Sequence, residues 1–381
     1  MDPMQDQKCI MIIAGEVSGD FHGAKLVEAM RARNRSLFFC GIGGNALKSA
    51  GVRILVDASE LAVVGITEVF SKASRILKGI GLAKRLLKSL KPDLLILIDF
   101  PGFNLHVAAT AKKLDVPVLY YISPQLWAWR PGRVGKIGQR VDHVAVILPF
   151  EEEFYRRHQI PVSFVGHPLL DKQTVPTIPP DAEPINHDPV IGLLPGSRDK
   201  EIASLLPLML TAARNLLKHN PNIKFIISLA PSVKKETIES MVQAHGLSSN
   251  YELVSDRVEN IFRKCSLAVV ASGTVTLEAA ICGTPIIIVY KISPISAVIA
   301  KLLVHVKHIG LVNLIAGKEI APELVQEQAT VENISDSVLQ LLDNADGLEL
   351  QRREMLKIKD LLGGPGASAR VAEIAINMLK P

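Results

Sequence analysis

The sequence predicts an α/β protein made of two doubly wound, Rossmann-like domains facing a cleft. Short apolar, β-branched runs alternate with helix-length amphipathic stretches, the pattern of parallel sheets built from βαβ units. A chain of 381 residues is too long for one ordinary domain of this kind and suits two, each able to bury its own core. The alternation stops at Thr174–Pro189, which holds five prolines, and then starts again.

That break sets the boundaries. The first domain spans 1–170, a linker 171–189 and the second domain 190–345, leaving a tail, 346–381. The tail carries two helical stretches, around Leu348–Leu362 and Ala367–Leu379, separated by the breaker GGPG, and is expected to pack back on the first domain. Strands are predicted near Cys9–Ala14, Leu37–Gly41, Asp93–Asp99, Val116–Ile122, His143–Leu148 and Val162–Val165. In the second half they fall near Val190–Leu194, Lys224–Leu229, Leu267–Ala271 and Pro285–Tyr290, with helices between.

Composition narrows the class. Hydrophobic residues make up 48% and charged residues 21%, so the whole chain is expected to fold. The opening MDPMQDQK lacks the basic-then-apolar pattern of a secretory signal, which points to the cytosol. No apolar run approaches the roughly 20 residues that span a bilayer. Cys9, Cys40, Cys265 and Cys282 are scattered singly without ligand spacing and read as small core residues; no metal is expected. A net charge of +5 with only 5% aromatic residues argues against nucleic acid as a partner.

The first strand ends in AGEVSGD, Ala14–Asp20, immediately before a helix. In an open α/β sheet that loop borders the ligand crevice, and Gly15 and Gly19 allow close approach of backbone. Glu16, Ser18 and Asp20 are therefore candidate binding residues. The plainer reading is a strand-to-helix turn capped by Ser18 or Asp20. Gly41, Gly43 and Ala46 satisfy the GxGxxG/A pattern, but after the second strand and without the acid that a dinucleotide site needs about 20 residues on. No phosphate-loop motif GxxxxGK[ST] is present, which excludes P-loop nucleotide hydrolysis.

From Leu61 to Leu90, apolar residues at helical spacing are interleaved with Lys72, Arg75, Lys78, Lys84, Arg85 and Lys88. Preceded by Val63, Val64, Ile66, Val69 and Phe70, the stretch suits the headgroup layer of an anionic membrane; taken alone, it fits a sheet-covering helix with a solvated basic face at least as well. The strand PDLLILIDF then presents Asp99 at its carboxyl end, where partial desolvation suits a general base and where a helix cap is the alternative. SPQLWAWRPGR concentrates Trp127 and Trp129 beside Arg130 and Arg133, as a sugar, acyl or phosphate contact or as a packing anchor. The segment VGHP leaves His167 at the end of the first domain.

In the second domain LLPGSRDKEI runs from a strand through Gly196, Ser197 and Arg198 into a helix. That arrangement lets backbone N–H groups, a helix start and a guanidinium meet a diphosphate, or else pairs Arg198 with Glu201 on the surface. A second such turn holds Ser272, Gly273 and Thr274, with Glu278 on the following helix placed for the two ribose hydroxyls of a nucleotide. Two phosphate-type turns and an inward acid form a uridine diphosphate pocket more naturally than two unrelated helix caps do.

Read together, AGEVSGD, GIGG, LAVVGITEV, DFPGFN, SPQLWAWR, LPFE, VGHP, LPGSR, ASGTVTLE and VNLIAGKEIAPELVQ resemble the lipid A disaccharide synthases, inverting glycosyltransferases of the two-lobed GT-B class. The resemblance runs from about Met11 to Gln328. It implies a donor, UDP-2,3-diacylglucosamine, on the second lobe and an acceptor, 2,3-diacylglucosamine 1-phosphate, on the first, giving a β-1,6-linked disaccharide 1-phosphate and UDP. It further implies Asp99 and Arg198 as catalytic residues, Glu16, Ser18, Asn313 and Gln326 as binding residues, no cofactor, and a cytoplasmic enzyme peripheral to the inner membrane. A homodimer is compatible with it. Gly102 departs from the PDFN found in many members and leaves Asp99 without a neighbouring acid. The rivals are another GT-B enzyme acting on a UDP-N-acetylhexosamine, either a peptidoglycan glycosyltransferase or a 2-epimerase, and a non-catalytic sugar-nucleotide binding module.

Overall fold

The computed structural model describes residues 7–60, 69–129, 131–171, 188–230, 233–247, 250–293 and 306–379. The chain forms two compact units, one made of 1–172 with 362–381 and the other of 173–361.

The first unit runs β1 Cys9–Ala14, α1 Val17–Arg33, β2 Phe38–Gly43, α2 Asn45–Ser49, β3 Arg53–Asp57, α3 Val69–Leu90, β4 Leu94–Ile98 and α4 Pro101–Lys112. It continues with β5 Val118–Tyr121, α5 Leu126–Trp129, α6 Val134–Gly138, β6 His143–Val146, α7 Pro149–Arg157 and β7 Val162–Phe164. Its seven-stranded sheet has the order β3-β2-β1-β4-β5-β6-β7, so the winding reverses between β1 and β4. Every residue of β4, LLILI, is buried. Leu95 and Leu97 join Met11, Ile13, Val118 and Tyr120 under Ala83 and Leu87 of α3 and Phe103 of α4. Leu94, Ile96 and Ile98 join Ile10, Ile12 and Leu119 on the opposite face, under Leu26 and Val27 of α1. A strand covered on both faces has no polar side, which is why it reads as an unbroken apolar run.

The second unit repeats the scheme. It runs β8 Val190–Leu194, α8 Asp199–His219, β9 Lys224–Ser228, α9 Lys235–Ala244, β10 Tyr251–Val254, α10 Val258–Lys264, β11 Leu267–Ala271 and α11 Val275–Cys282. After β12 Ile286–Tyr290 come α12 Leu311–Ala316, β13 Glu323–Val325, α13 Val331–Leu342 and α14 Ala345–Leu361. The parallel order is β10-β9-β8-β11-β12-β13, with the reversal between β8 and β11. Three strands escape the sequence reading: β3, β10 and β13. All three lie at sheet edges and are only partly buried, so they lack the apolar run that marks a central strand.

The tail divides between the units, instead of packing as a whole on the first domain. Helix α14 belongs to the second unit, where Gln351 Nε2 donates to the carbonyl of Ile286 at 2.8 Å. The last helix, α15 Ala367–Met378, belongs to the first, with Val371, Ala372 and Ala375 buried in the same core as α1. Asp171 fastens its start: the carboxylate accepts from the backbone N–H of Gly366 (2.7 Å), Ala367 (2.9 Å) and Ser368 (2.9 Å) and from Ser368 Oγ (2.8 Å). A glycine at the helix start cannot cap it, so Asp171 supplies the cap from a residue distant in sequence.

Burial pushes the Asp171 carboxyl up, but the hydrogen bonds from Ser368, Gly366 and Ala367 outweigh it and hold it below its ordinary value. A carboxyl held low in the folded state favours folding at neutral pH, and that contribution fades as the pH falls below the unfolded value of about 3.9. Asp171→Ala is expected to lower stability by about 1–2 kcal/mol at pH 7, the usual scale for a lost cap. In urea unfolding the difference from wild type should shrink at pH 3, and an equal difference at both pH values would contradict the assignment.

Candidate functional site

The reversal of strand order in each sheet places the loops that carry the sequence motifs. In the first unit Ala14 of β1 pairs with Ile98 of β4, so the chain leaves the sheet at Gly15–Glu16 and at Asp99 side by side. Such a reversal point is where open α/β sheets bind ligands. Asp99 and Phe100 both adopt left-handed backbone, with φ of 46° at each. A Cβ on Gly15 would lie 2.2 Å from the Phe100 ring, so only glycine lets the two loops meet this closely.

The Asp99 carbonyl accepts from Tyr120 Oη and from Asn104 Nδ2, both at 2.7 Å. Its side chain is half-buried. Burial, and then the charge of Glu16, push the Asp99 carboxyl up to about 6, while the N–H of Phe100 pulls the other way. A carboxyl balanced there can accept a proton from a hydroxyl near neutral pH. Glu16 stands exposed before the first turn of α1, and Ser18 is exposed two residues on. The structure thus brings Glu16, Ser18 and Asp99 to the carboxyl ends of the neighbouring central strands β1 and β4.

Asp20, grouped with them by its motif, is engaged elsewhere. It is only 7% exposed. Its carboxylate accepts from the N–H groups of Gly44 (2.6 Å), Ala46 (2.9 Å) and Leu47 (3.3 Å), capping α2. The GIGG turn is therefore held by Asp20, which explains a glycine pattern that no dinucleotide requires. Trp127 likewise takes the packing role, with Nε1 donating to Glu151 at 3.1 Å and its ring edge-on to Phe150. Burial drives the Glu151 carboxyl up to about 7, against hydrogen bonds from Trp127 and the backbone. His167 is buried, and its Nδ1 accepts from the N–H of Leu169 at 3.2 Å.

In the second unit the loops after β8 and β11 flank the reversal. Gly196 has φ of 106°, in the left-handed region, and Ser197 and Arg198 are exposed. Arg198 pairs with Glu201 at 3.1 Å, while the other Glu201 oxygen accepts from the Ser197 N–H at 3.3 Å. Glu201 thus occupies the open start of α8. Tyr290 ends β12 near this pair: burial raises its hydroxyl, Glu201 adds to the shift and Arg198 opposes it. Across the reversal, Ser272 Oγ donates to the Ile309 carbonyl at 3.2 Å and Thr276 Oγ1 to that of Gly273 at 2.9 Å. Gly273 is half-buried with open space where a side chain would begin, Thr274 is exposed and Glu278 is half-buried on α11.

Asn313 is fully buried and saturated by its own chain. Its amide donates to Ala321 O (2.7 Å) and Glu323 Oε1 (2.8 Å), and its Oδ1 accepts from Ile320 N (2.8 Å) and Ala321 N (3.0 Å). It fixes the turn before β13, a framework role where the motif suggested substrate contact. Gln326 is half-buried after β13, with left-handed backbone and Oε1 accepting from the N–H of Ile292 at 3.2 Å. Glu201 pairs with Arg198, the plainer of the two arrangements its motif allowed. Asn104, Tyr120, Tyr290 and Glu323 were not marked as site residues: Asn104 and Glu323 sit inside motifs whose other residues drew the assignment, and Tyr120 and Tyr290 lie in apolar strands. Val63, Val64 and Ile66 lie outside the described residues, as does Arg130; Val69 and Phe70 begin α3, and their side chains also lie outside the description. Two surface hollows of about 430 and 450 Å³ open along β3 and at the amino ends of β8–β10, lined by none of the predicted site residues.

The chain matches the model of the lipid-A-disaccharide synthetase family over residues 10–374. The lipid-A-disaccharide synthase of Geobacter sulfurreducens is 45% identical over 375 residues, covering 97% of each chain. That of Trichlorobacter lovleyi is 44% identical over 377 residues, covering 98% of each. The chain belongs to this family. Among solved structures, the UDP-GlcNAc 2-epimerase of Neisseria meningitidis bound to UDP-GlcNAc matches with a TM-score of 0.65 at 14% identity, covering 97% of this chain and 100% of that one. MurG of Acinetobacter baumannii matches with a TM-score of 0.63 at 14% identity, covering 97% and 99%. These likenesses show the fold, the paired Rossmann-like sheets of the GT-B class. The family membership, carried at three times that identity over nearly the whole chain, separates this protein from both in kind.

The raised Asp99 carboxyl has a cost that can be measured. It binds a proton more readily folded than unfolded, so folding stability falls as the pH rises from about 4 to about 6. Asn adopts left-handed backbone as readily as Asp. Asp99→Asn is therefore expected to match wild type below pH 4 and to be more stable above pH 6, by about 1–2 kcal/mol after solvent screening is discounted. Thermal unfolding at pH 4 and pH 8 checks this, and a variant no more stable at pH 8 would contradict it.

Proposed function

We propose that this chain is a hexosyltransferase that joins UDP-2,3-diacylglucosamine to 2,3-diacylglucosamine 1-phosphate, releasing UDP and the β-1,6-linked disaccharide 1-phosphate. The observation that carries the reading is the half-buried Asp99, with its carboxyl near 6 beside Glu16, in a chain of this family. Asp99 takes the proton from the acceptor 6-hydroxyl as that oxygen attacks the anomeric carbon of the donor, and the bond to the diphosphate oxygen breaks on the opposite face. The attack inverts the anomeric centre.

The donor binds to the second unit. Backbone N–H groups at the start of α8 and at the turn Ser272–Thr274 receive the diphosphate, and Glu278 takes the ribose hydroxyls. Arg198 neutralises the leaving diphosphate. Its side chain is 80% exposed and pairs with Glu201 on the surface, an ion pair of small worth that a bidentate phosphate readily replaces. Gly196, Ser197 and Gln326 complete the donor contacts, and Glu16 and Ser18 hold the acceptor.

The acceptor and donor are lipids, so the enzyme works at an anionic membrane surface, cytoplasmic and peripheral to the inner membrane. Among the described residues no helix is long and apolar enough to cross a membrane. Helix α3 supports surface contact: Leu77 is 67% and Leu82 40% exposed, beside the exposed Lys78 and Arg85. Val63, Val64, Ile66, Val69 and Phe70 would extend that contact.

The test is a two-substrate assay with acylated sugars on anionic vesicles. Wild type is expected to form disaccharide and UDP in equal amounts. Asp99→Asn should retain UDP binding and lose turnover by about 10²–10⁴-fold, the share of a general base. Arg198→Ala should lose turnover by a similar factor, about 10²-fold or more, and exchanging Val69 and Phe70 for Ser should reduce co-flotation with the vesicles while leaving the fold intact. Folded wild-type protein that binds UDP yet forms no disaccharide would overturn the proposal.

A further inference from the structure

The turn that carries Asp99 is unusual in two ways that bear on one another. Two consecutive residues with side chains, Asp99 and Phe100, sit in left-handed backbone, which neither prefers as strongly as glycine does. Such a pair persists only where the surroundings over-determine it. Here the determinants can be named. Asn104 reaches back from the first turn of α4, and its Nδ2 donates to the carbonyls of Ile98 at 3.2 Å and Asp99 at 2.7 Å. Tyr120, from the neighbouring strand β5, donates its hydroxyl to the same Asp99 carbonyl. The Phe100 ring stacks on Phe103 at 5.2 Å and fills the space over Gly15.

Asn104 is 0% exposed, and its Oδ1, also buried, has no hydrogen-bond partner among the described residues. An unsatisfied buried acceptor costs stability, and an apolar residue of similar size would avoid that cost. The amide is present for its two donated bonds. We propose, on the reading of Asp99 as general base, that Asn104 and Tyr120 are positioning residues, gripping the Asp99 carbonyl from two elements so that its carboxylate stays half-buried beside Glu16. Neither residue touches substrate in this role. The titratable groups facing Asp99 are Glu16 from the β1–α1 loop and Tyr120 from β5, with Tyr155 of α7 behind Tyr120. Burial raises both tyrosine hydroxyls above their ordinary value, so neither ionises on the acidic side and the acidic limb of the rate profile reports on Asp99.

The experiment compares Tyr120→Phe, Asn104→Ala, the double variant and Asp99→Asn in the acylated two-substrate assay from pH 4 to pH 9, with circular dichroism as the fold control. Tyr120→Phe removes a single oxygen and is the variant least able to disturb the core. Loss of the grip lets the Asp99 carboxylate reach solvent, so in both single variants the acidic limb should move down from about 6 towards the ordinary carboxylate value. Turnover at neutral pH should fall about tenfold, as for a misplaced reacting group, with the KM for donor unchanged. Because both donors act on one carbonyl, the double variant should lose less than the product of the single losses. Wild-type turnover and an unmoved limb in both single variants, alongside an inactive Asp99→Asn, would overturn the positioning role alone. So would a loss of turnover that tracks unfolding while the limb stays in place. Full turnover in Asp99→Asn would remove the base assignment and the grip with it.

Discussion

Two carboxylates leave the first sheet side by side because its strand order reverses between β1 and β4, and the chemistry of the first unit depends on that one constraint. Asp20 and Asp171, by contrast, are helix caps satisfied by backbone N–H groups. At the reversal, Asp99 turns left-handed, its backbone is held by groups from α4 and β5, and its half-buried carboxyl faces Glu16, with the Phe100 N–H beside it. Desolvation and like charge then act together on one group, which is how a carboxylic acid comes to exchange a proton near neutral pH.

The second unit applies the same topology to a different charge. Where β8 and β11 diverge, the loops end in glycine-bearing turns and open helices, so the exposed groups are N–H donors and one guanidinium. Glu201 folds over the start of α8 and pairs with Arg198, keeping a cation and a helix start partly neutralised at the surface. On the proposed placement of the donor diphosphate, the Glu201 carboxylate is an internal stand-in for it. The first unit thus concentrates groups that take a proton, and the second concentrates groups that receive negative charge.

Most of this was legible in the sequence because central parallel strands are apolar from end to end and the acids follow them directly. PDLLILID announces both the strand and the position of Asp99. The edge strands β3, β10 and β13 were not legible, since a strand with one covered face and few residues has no periodic signature. Asp20 and Asn313 show the limit at the site. Each sits within a motif that resembles the family, yet Asp20 spends its oxygens on the GIGG turn and Asn313 its whole amide on the turn before β13. A motif marks a place where residue identity matters and does not say whether a ligand or the chain's own backbone is the partner. Tyr120 was silent for the opposite reason: its relation to Asp99 exists only once β5 lies beside β4. Asn104 lies five residues beyond Asp99, and its bonds to the Ile98 and Asp99 carbonyls appear only once the turn folds back over it.

The chemistry of the first unit depends on a half-buried Asp99 whose protonation is set by burial and by Glu16, and a ¹³C-NMR titration of its side-chain carboxyl in the intact protein measures this directly. The expected midpoint is about 6, moving down when Glu16 is replaced by Gln. A midpoint at the ordinary value of about 3.9, unmoved by that replacement, would contradict it.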